Sequence, residues 1–187
     1  MIKIDTIMMP YVEYGLKDHK KNKVKIQKAL KKTILEESVN EDMHIHKTDY
    51  GVPQDIERPY KPIVTSVLNE SIGYMTHALG YEEVNVPHLY AATMKKNDVI
   101  NWGTYMANFI GIYAFDIPDN KFEFKWFNSI EKKINILHIK EGGVLFFPSY
   151  MSHKISNLGK PKTFFIFSLN FSRGKNIENL MKDVEKK

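Results

Sequence analysis

The pattern that most constrains the fold begins after Gly80, where helical periodicity gives way to short β-rich runs. Eight such runs, dominated by β-branched and aromatic residues, lie between turn signals such as KKND, IPDN, KEGG and NLGKP. In chain order they read VNVPHLYAATM, VINWGTYM, FIGIYAFDI, KFEFKWF, KINILHI, GVLFFP, HKIS and KTFFIFSLNF. Short strands at this spacing predict an antiparallel sandwich or barrel rather than a parallel α/β sheet.

Two helices are predicted ahead of the strands. Residues 60–79 place apolar side chains at helical spacing, and Gly80 then supplies a stop. Residues 22–37 repeat the pattern more weakly, with lysines covering the other face. Helices first and strands afterwards indicate an α+β fold in which the helices pack on one sheet.

The chain is expected to form a single domain, residues 1–187, in three parts. Residues 1–80 supply the N-terminal strand (residues 3–15) and the helices. Residues 81–173 form the β core, and residues 174–187 form a short charged helix or a tail. Residues 38–60, between the two helices, are expected to be a loop.

The net charge of +5 comes almost entirely from lysine, because Arg58 and Arg173 are the only arginines. Arginine is the usual reader of base edges and the usual bidentate ligand of phosphate. A surface so poor in arginine argues against sequence-specific nucleic-acid binding, although loose attraction to polyanions stays open.

The absence of cysteine excludes disulfides, thiolate metal sites and cysteine nucleophiles. The first fifteen residues lack the pattern of a signal peptide, and no run approaches the about 20 apolar residues of a membrane span. We therefore expect a cytoplasmic protein with no membrane contact.

One histidine has an unusual position. In EGGVLFFPSYMSHKISN an apolar strand runs into Pro148, a short polar turn follows, and His153 comes next. A single imidazole is not a metal site, so the rest of the chain must supply further ligands. His44 and His46 would share one side of a strand, but in a loop such spacing is usually accidental.

Several motifs resemble the 2-oxoglutarate and Fe(II)-dependent oxygenases of phages and marine bacteria, in the prolyl-hydroxylase-like part of that superfamily. They are HKTDYG, MKKNDVINWGTYM, IGIYAF, GGVLFFPSYMSHKISN and FSLNF. The resemblance implies a double-stranded β-helix, the cupin-like jelly roll, with Fe(II) and 2-oxoglutarate as cofactors. It implies that His153 is the distal iron ligand. It also implies that Asn170, in the closing strand, belongs to the cofactor site.

The same resemblance shows a departure from the pattern at the other two iron ligands. Relatives carry them two residues apart, before a strand like GIYAF, and the register places them at Gly103 and Tyr105. Gly103 has no side chain. The phenol of Tyr105, with an ordinary pKa of about 10, is neutral at pH 7 and binds Fe(II) poorly. If residues 103 and 105 face the barrel interior, the Tyr105 ring would occupy the metal's place and its hydroxyl would bond His153.

The basic residue that would hold the far carboxylate of 2-oxoglutarate is ambiguous. The resemblance places it at Lys162, nine residues after His153, with Lys160 as its neighbour. A lysine can pair with a carboxylate as a point charge. The alternative is that both are solvated lysines of the GKPK turn.

Other residues that carry ligand groups lack the spacing of an iron site, and a strand-face or turn role suits each of them better. They are His88, Asp98, Asp116 and His138. Two functions therefore stay open. One is a 2-oxoglutarate/Fe(II) hydroxylase of a small molecule or a protein side chain, with a rearranged site. The other is a catalytically inactive jelly-roll module that binds a ligand or partner.

Overall fold

The computed structural model describes residues 11–53, 55–120, 122–128 and 131–172. Within these ranges the chain forms two helices, α1 (His19–Leu30) and α2 (Lys61–Ala78), neither of which could span a membrane. The twelve strands are β1 (Val12–Gly15), β2 (Glu36–Val39), β3 (Met43–Thr48), β4 (Glu83–Asn85), β5 (Leu89–Met94), β6 (Val99–Gly103), β7 (Phe109–Asp116), β8 (Phe122–Asn128), β9 (Lys133–Ile139), β10 (Gly143–Pro148), β11 (His153–Ser156) and β12 (Lys162–Ser172).

The strands form one antiparallel sheet in the order β1-β10-β7-β12-β5-β3-β6-β11-β8-β9, with β2 paired to β3 and β4 paired to β12. Every strand after Gly80 lies in one of the eight predicted runs or extends at most one residue beyond it, and the first run is divided into β4 and β5. The prediction of an antiparallel β fold is therefore confirmed.

The sheet curls until its two halves face each other. Strands β8 and β10 lie near opposite ends of the order, yet the ring centroids of Phe124 and Phe147 are 4.6 Å apart. Phe122 of β8 likewise contacts Phe164 of β12 at 4.9 Å. The space enclosed between the halves is thus a packed aromatic and aliphatic core.

The two helices cover the outer face of the part of the sheet that β10, β7, β12 and β5 form. Alternation along β12 sends Phe165 and Phe167 to this side, while Phe164 and Ile166 point inward. Tyr60, just before α2, packs on Phe165 at a ring distance of 5.2 Å. The prediction that the helices pack on one sheet is confirmed.

Two of the local predictions are wrong. Residues 38–60 are not all loop, because they contain the end of β2 and the whole of β3. Only Ile45 of β3 is a buried apolar residue, so the strand exists through its pairing with β5 and β6 rather than through its own hydrophobic pattern.

The first helix also differs from its predicted range of residues 22–37. It begins at His19, whose buried ring contacts the Tyr113 hydroxyl at 2.7 Å, and ends at Leu30. The predicted strand over residues 3–15 is seen only as β1. Residues 3–10 and the predicted helix or tail over residues 174–187 lie outside the described residues.

A buried carboxylate ties the helical layer to the sheet. Asp49 follows β3, and its side chain is fully buried. Its Oδ2 accepts hydrogen bonds from Arg58 Nε at 2.7 Å and from the Tyr60 hydroxyl at 2.6 Å, while Oδ1 accepts from Ala91 N of β5 at 2.7 Å. Arg58 also donates to the carbonyl of Val52 at 2.6 Å. One of the two arginines is therefore a structural residue.

Removing Arg58 should destabilise the protein strongly. Arg58→Ala leaves the Asp49 carboxylate buried without its cation, which costs about 3–5 kcal/mol of unfolding free energy. Urea denaturation followed by circular dichroism measures the change. The matched control is Lys17→Ala, which breaks the exposed Lys17–Glu70 pair and should have little effect. Equal losses in the two variants would contradict this role for Arg58.

Candidate functional site

His153 is held at the mouth of the curled sheet by strands on both sides. It is the first residue of β11, and its Cα pairs with Gly103 of β6 on one side and Trp126 of β8 on the other. The turn after Pro148 delivers it, with Phe127 N donating to Ser152 O at 3.0 Å. The sequence-predicted neighbours 103 and 153 are therefore brought together.

The imidazole of His153 is surrounded by aromatic side chains, and the residue is only 2% exposed. Its ring centroid is 4.7 Å from that of Phe147, 5.3 Å from that of Tyr105 and 5.4 Å from that of Phe124. This burial lowers the pKa of His153 and favours the neutral ring.

The tautomer of His153 follows from its one hydrogen bond. Nδ1 lies 2.9 Å from the carbonyl oxygen of Met151, and a carbonyl can only accept, so Nδ1 carries the proton. The lone pair is then on Nε2. This is the arrangement in which a histidine ligates a metal through Nε2, but it also suits a hydrogen-bond acceptor for an organic ligand.

The Tyr105 ring stacks on His153, with an angle of 30° between the ring planes. The expected bond between its hydroxyl and His153 is not made, because that hydroxyl lies 3.3 Å from the Tyr90 hydroxyl of β5 instead. Burial raises the pKa of both phenols, so neither is a phenolate near neutral pH. Tyr105 therefore covers the imidazole face as a neutral aromatic ring.

The residues around His153 do not fit an iron ion. The described residues contain no group of three histidine, cysteine, aspartate or glutamate side chains able to hold a metal. Gly103 offers no ligand, and Tyr105 offers an aromatic face. Iron sites of this kind use two histidines and a carboxylate on one face, whereas the residues at positions 103, 105 and 153 offer one imidazole.

The alternative ligands lie elsewhere. His88 and His138 are exposed. Asp98 is buried, and its Oδ2 accepts the amide protons of His46 at 2.9 Å and Lys95 at 2.8 Å. Each has a local structural or surface setting away from His153.

Asp116 belongs to the attachment of α1. It pairs with Lys23 at 2.8 Å, and Lys23 also pairs with Glu141 at 2.7 Å. Burial would raise the pKa of Glu141, but hydrogen bonds from Lys23, Ile117 N and His19 outweigh it and lower the pKa to about 2. This network holds a helix on the sheet and leaves no carboxylate for His153.

The predicted anchors for 2-oxoglutarate are placed as follows. Lys162 is 4% exposed, and its ammonium lies 3.0 Å from Asp119 Oδ2 and 2.7 Å from Asn157 Oδ1. Asn157 follows β11 four residues after His153, which is about 13 Å along an extended chain. Lys160 and Asn170 are exposed. The ammonium of Lys162, the buried lysine among the residues that the structure describes, is thus already paired with Asp119 and Asn157, and the residues present do not fit 2-oxoglutarate as they stand.

A pocket of about 250 Å³ opens beside His153. Aromatic and polar side chains from β6, from the turn before β3 and from the segment after it form the wall. The lining residues are Asp42, Met43, Tyr50, Ile100, Asn101, Trp102, Gly103, Thr104, Tyr105 and His153. We call this the mouth pocket.

The sequence did not identify most of this site. Tyr50 and Tyr90 were missed although their rings meet edge to face at 5.0 Å and Tyr90 touches Tyr105. Phe124, whose ring lies 5.4 Å from that of His153, was not singled out either. Trp126, opposite His153, has a buried Nε1 with no hydrogen-bond partner among the described residues.

Restoring the two missing ligands should create a metal site. A Cβ at Gly103 would meet only Asn101 O, at 3.8 Å, so a side chain fits there. We expect Gly103→His combined with Tyr105→Asp to convert the protein from no His153-dependent binding of Mn(II) to a one-site isotherm in anaerobic calorimetry. Adding His153→Ala should abolish the heat. A correctly folded double variant that binds nothing would contradict the register assigned to residues 103 and 105.

His153 should make the protein less stable in acid. Its folded pKa is lowered from the ordinary 6.5, so the unfolded chain takes up a proton at higher pH. The stabilisation is complete above about pH 6.5 and is lost as the pH falls from there through the folded pKa. Urea unfolding at pH 7.5 to 5 should show a shallower loss for His153→Phe, and equal slopes would contradict the expectation.

The comparisons agree with this geometry at the level of fold. The chain is similar to a 2OG-Fe(II) oxygenase family oxidoreductase from Burkholderia pseudomallei (TM-score 0.66, 11% identity, 86% of this chain and 84% of that one). It is similar to a prolyl-4-hydroxylase from Pseudomonas putida (TM-score 0.62, 10% identity, 88% and 93%). It is also similar to HygX from Streptomyces hygroscopicus, solved with nickel, 2-oxoglutarate and hygromycin B (TM-score 0.58, 9% identity, 87% and 83%).

Sequence comparison adds nothing to these structural matches. No family model and no curated protein matches the chain. At such low identity the structural likeness concerns the arrangement of the backbone. The chain therefore has the jelly-roll fold of the 2-oxoglutarate/Fe(II) oxygenases.

Proposed function

We propose that this protein is a non-catalytic jelly-roll module that binds a ligand or a partner segment in the mouth pocket. One observation carries the proposal: the face of His153 is covered by the Tyr105 ring at 5.3 Å, with Gly103 opposite. The chemistry of the fold's relatives needs charged or imidazole ligands at these positions. An aromatic ring and a glycine serve packing and access instead.

The filled interior supports the same conclusion. Phe147 and Phe124 press on His153 from the inner side, and each is fully buried. The relative HygX was solved with nickel and 2-oxoglutarate bound. Here the inner side of His153 is occupied by phenylalanine rings, and the ammonium of Lys162 is paired with Asp119 at 3.0 Å.

The mouth pocket itself has the mixture of walls expected of a binding site. Small-ligand sites are mostly apolar and aromatic, with a few polar groups that fix orientation. Tyr50, Trp102 and Tyr105 supply the aromatic walls, and Thr104 and His153 supply polar side chains. Trp102 is 39% exposed, so a ligand can reach it from solvent.

The second candidate is an active oxygenase with ligands recruited from elsewhere. The observation that favours it is the tautomer of His153, which leaves Nε2 as the free lone pair. Such an enzyme would use O2 to convert 2-oxoglutarate to succinate and CO2, with the second oxygen atom passing to a substrate. It would need Fe(II), and its activity would depend on His153.

One experiment with two readouts separates the candidates. The first readout is succinate formation from 2-oxoglutarate with Fe(II), oxygen and ascorbate, in wild type and His153→Ala. The second is a set of ¹H–¹⁵N spectra recorded with a panel of amino acids, amines, sugars and short peptides. Thr104→Trp serves as the variant with a blocked pocket.

We expect no succinate above the His153→Ala background. We expect amide shifts at residues 103–105 with at least one ligand class, and their loss in Thr104→Trp. Succinate formation that requires His153 would overturn the non-catalytic assignment. A panel that leaves residues 103–105 unchanged throughout would contradict the binding role.

A further inference from the structure

The walls of the mouth pocket present several aromatic rings. Tyr50, Trp102 and Tyr105 line it, and Tyr50 is held in place by an edge-to-face contact with Tyr90, with ring centroids 5.0 Å apart. Tyr105 is held from behind by the stacked ring of His153. Tyr50 and Tyr105 are thus each supported by another ring, and Trp102 is 39% exposed, so that a ligand can reach it from solvent.

The charge of the lining is opposite to that of the whole chain. The net charge is +5, yet the lining contains no lysine or arginine and one carboxylate, Asp42. That carboxylate has no hydrogen-bond partner among the described residues, because only the backbone groups of Asp42 are bonded. The neighbouring cation, Lys154, lies on β11 and donates to Asn101 Oδ1 at 3.3 Å. His153 is neutral in the tautomer set by Met151 O.

We propose that the mouth pocket binds a methylated ammonium group, with its methyl groups on the faces of Tyr50, Trp102 and Tyr105 and its charge near Asp42. This inference rests on the proposed binding function and names its ligand. Cations over tryptophan and tyrosine faces are attracted by the ring quadrupole, and quaternary ammonium recognition by aromatic cages uses this attraction.

The lining favours a methylated ammonium over a plain one. A lysine ammonium has three donors and holds its water strongly, so its capture needs several acceptors. The lining offers one carboxylate, that of Asp42, and few neutral acceptors besides those of Thr104 and His153, because Asn101 Oδ1 already accepts from Lys154. A methylated ammonium has few or no donors to satisfy, and apolar methyl groups suit a wall of rings.

The size and surroundings of the pocket fit a head group or a side chain. Pockets that enclose drug-sized ligands have volumes of about 300–1,000 Å³. The mouth pocket, with about 250 Å³, is smaller and suits a single chemical group. The loops that carry the exposed residues Met106 and Tyr150 are joined by a hydrogen bond from Tyr105 N to Ser149 O at 3.0 Å. The methylated ammonium can therefore come from a small molecule or from a methylated lysine of a polypeptide.

The test compares a cation with its uncharged isostere. Calorimetry measures binding of choline and of 3,3-dimethylbutan-1-ol, in which carbon replaces the charged nitrogen. A second arm uses a short peptide with trimethyllysine and the same peptide with unmodified lysine. The variants are Trp102→Ala and Asp42→Asn. The matched control is Phe127→Ala, which removes an exposed aromatic ring outside the lining.

We expect choline to bind about tenfold or more tightly than the isostere, with a loss of similar size in Trp102→Ala and no change in Phe127→Ala. Asp42→Asn should weaken choline and leave the isostere unaffected. Tighter binding of the trimethyllysine peptide than of choline identifies a polypeptide as the source, and equal binding identifies the small molecule.

Equal affinity for choline and the isostere overturns the proposal, because the pocket is then merely apolar. Absence of choline and trimethyllysine binding overturns it too. Neither result bears on the non-catalytic assignment, which is tested separately by the absence of succinate formation. Binding that survives Trp102→Ala would place the cation elsewhere and would also end the proposal.

Discussion

The buried carboxylate of Asp49 fixes the geometry on which the mouth pocket depends. It binds the segment just before α2, through Arg58 Nε at 2.7 Å and the Tyr60 hydroxyl at 2.6 Å, and it binds β5 through Ala91 N at 2.7 Å. It also follows β3, the strand that connects the two halves of the sheet by pairing with both β5 and β6. Tyr50 is the next residue, so the same anchor sets where that ring stands at the mouth.

A second constraint is the packing of aromatic rings around the buried imidazole of His153. Fully burying a phenylalanine contributes about 1.5–3 kcal/mol, so Phe124 and Phe147 add to stability while they fill the space next to His153. The imidazole is tolerated there because Nδ1 is bonded to Met151 O and the ring stays neutral. The interior thus acts as core, and the chemistry available to ligands is confined to the rim.

The strands themselves could be predicted because they depend on short-range pattern. Alternation and turns predicted the runs. The association of Gly103 and Tyr105 with His153 came from the resemblance to the oxygenase family. Contacts between distant segments left no local signal. Lys162 meets Asp119 across 43 residues, and Tyr90 meets Tyr105 only because β5 and β6 flank β3. The strand β3 was missed for the same reason, since its stabilising pairs are made by other strands.

The position of β12 has a consequence for how the chain is assembled during synthesis. It is the last strand of the described chain to leave the ribosome, yet it lies between β7 and β5 and pairs with β4 as well. Until it arrives, β5 and β7 each expose an unpaired edge, and Phe115 and Ile112 lack their main covering strand. Nascent chains therefore stay open along that gap until β12 has been synthesised, and they are most vulnerable to misassembly in that interval.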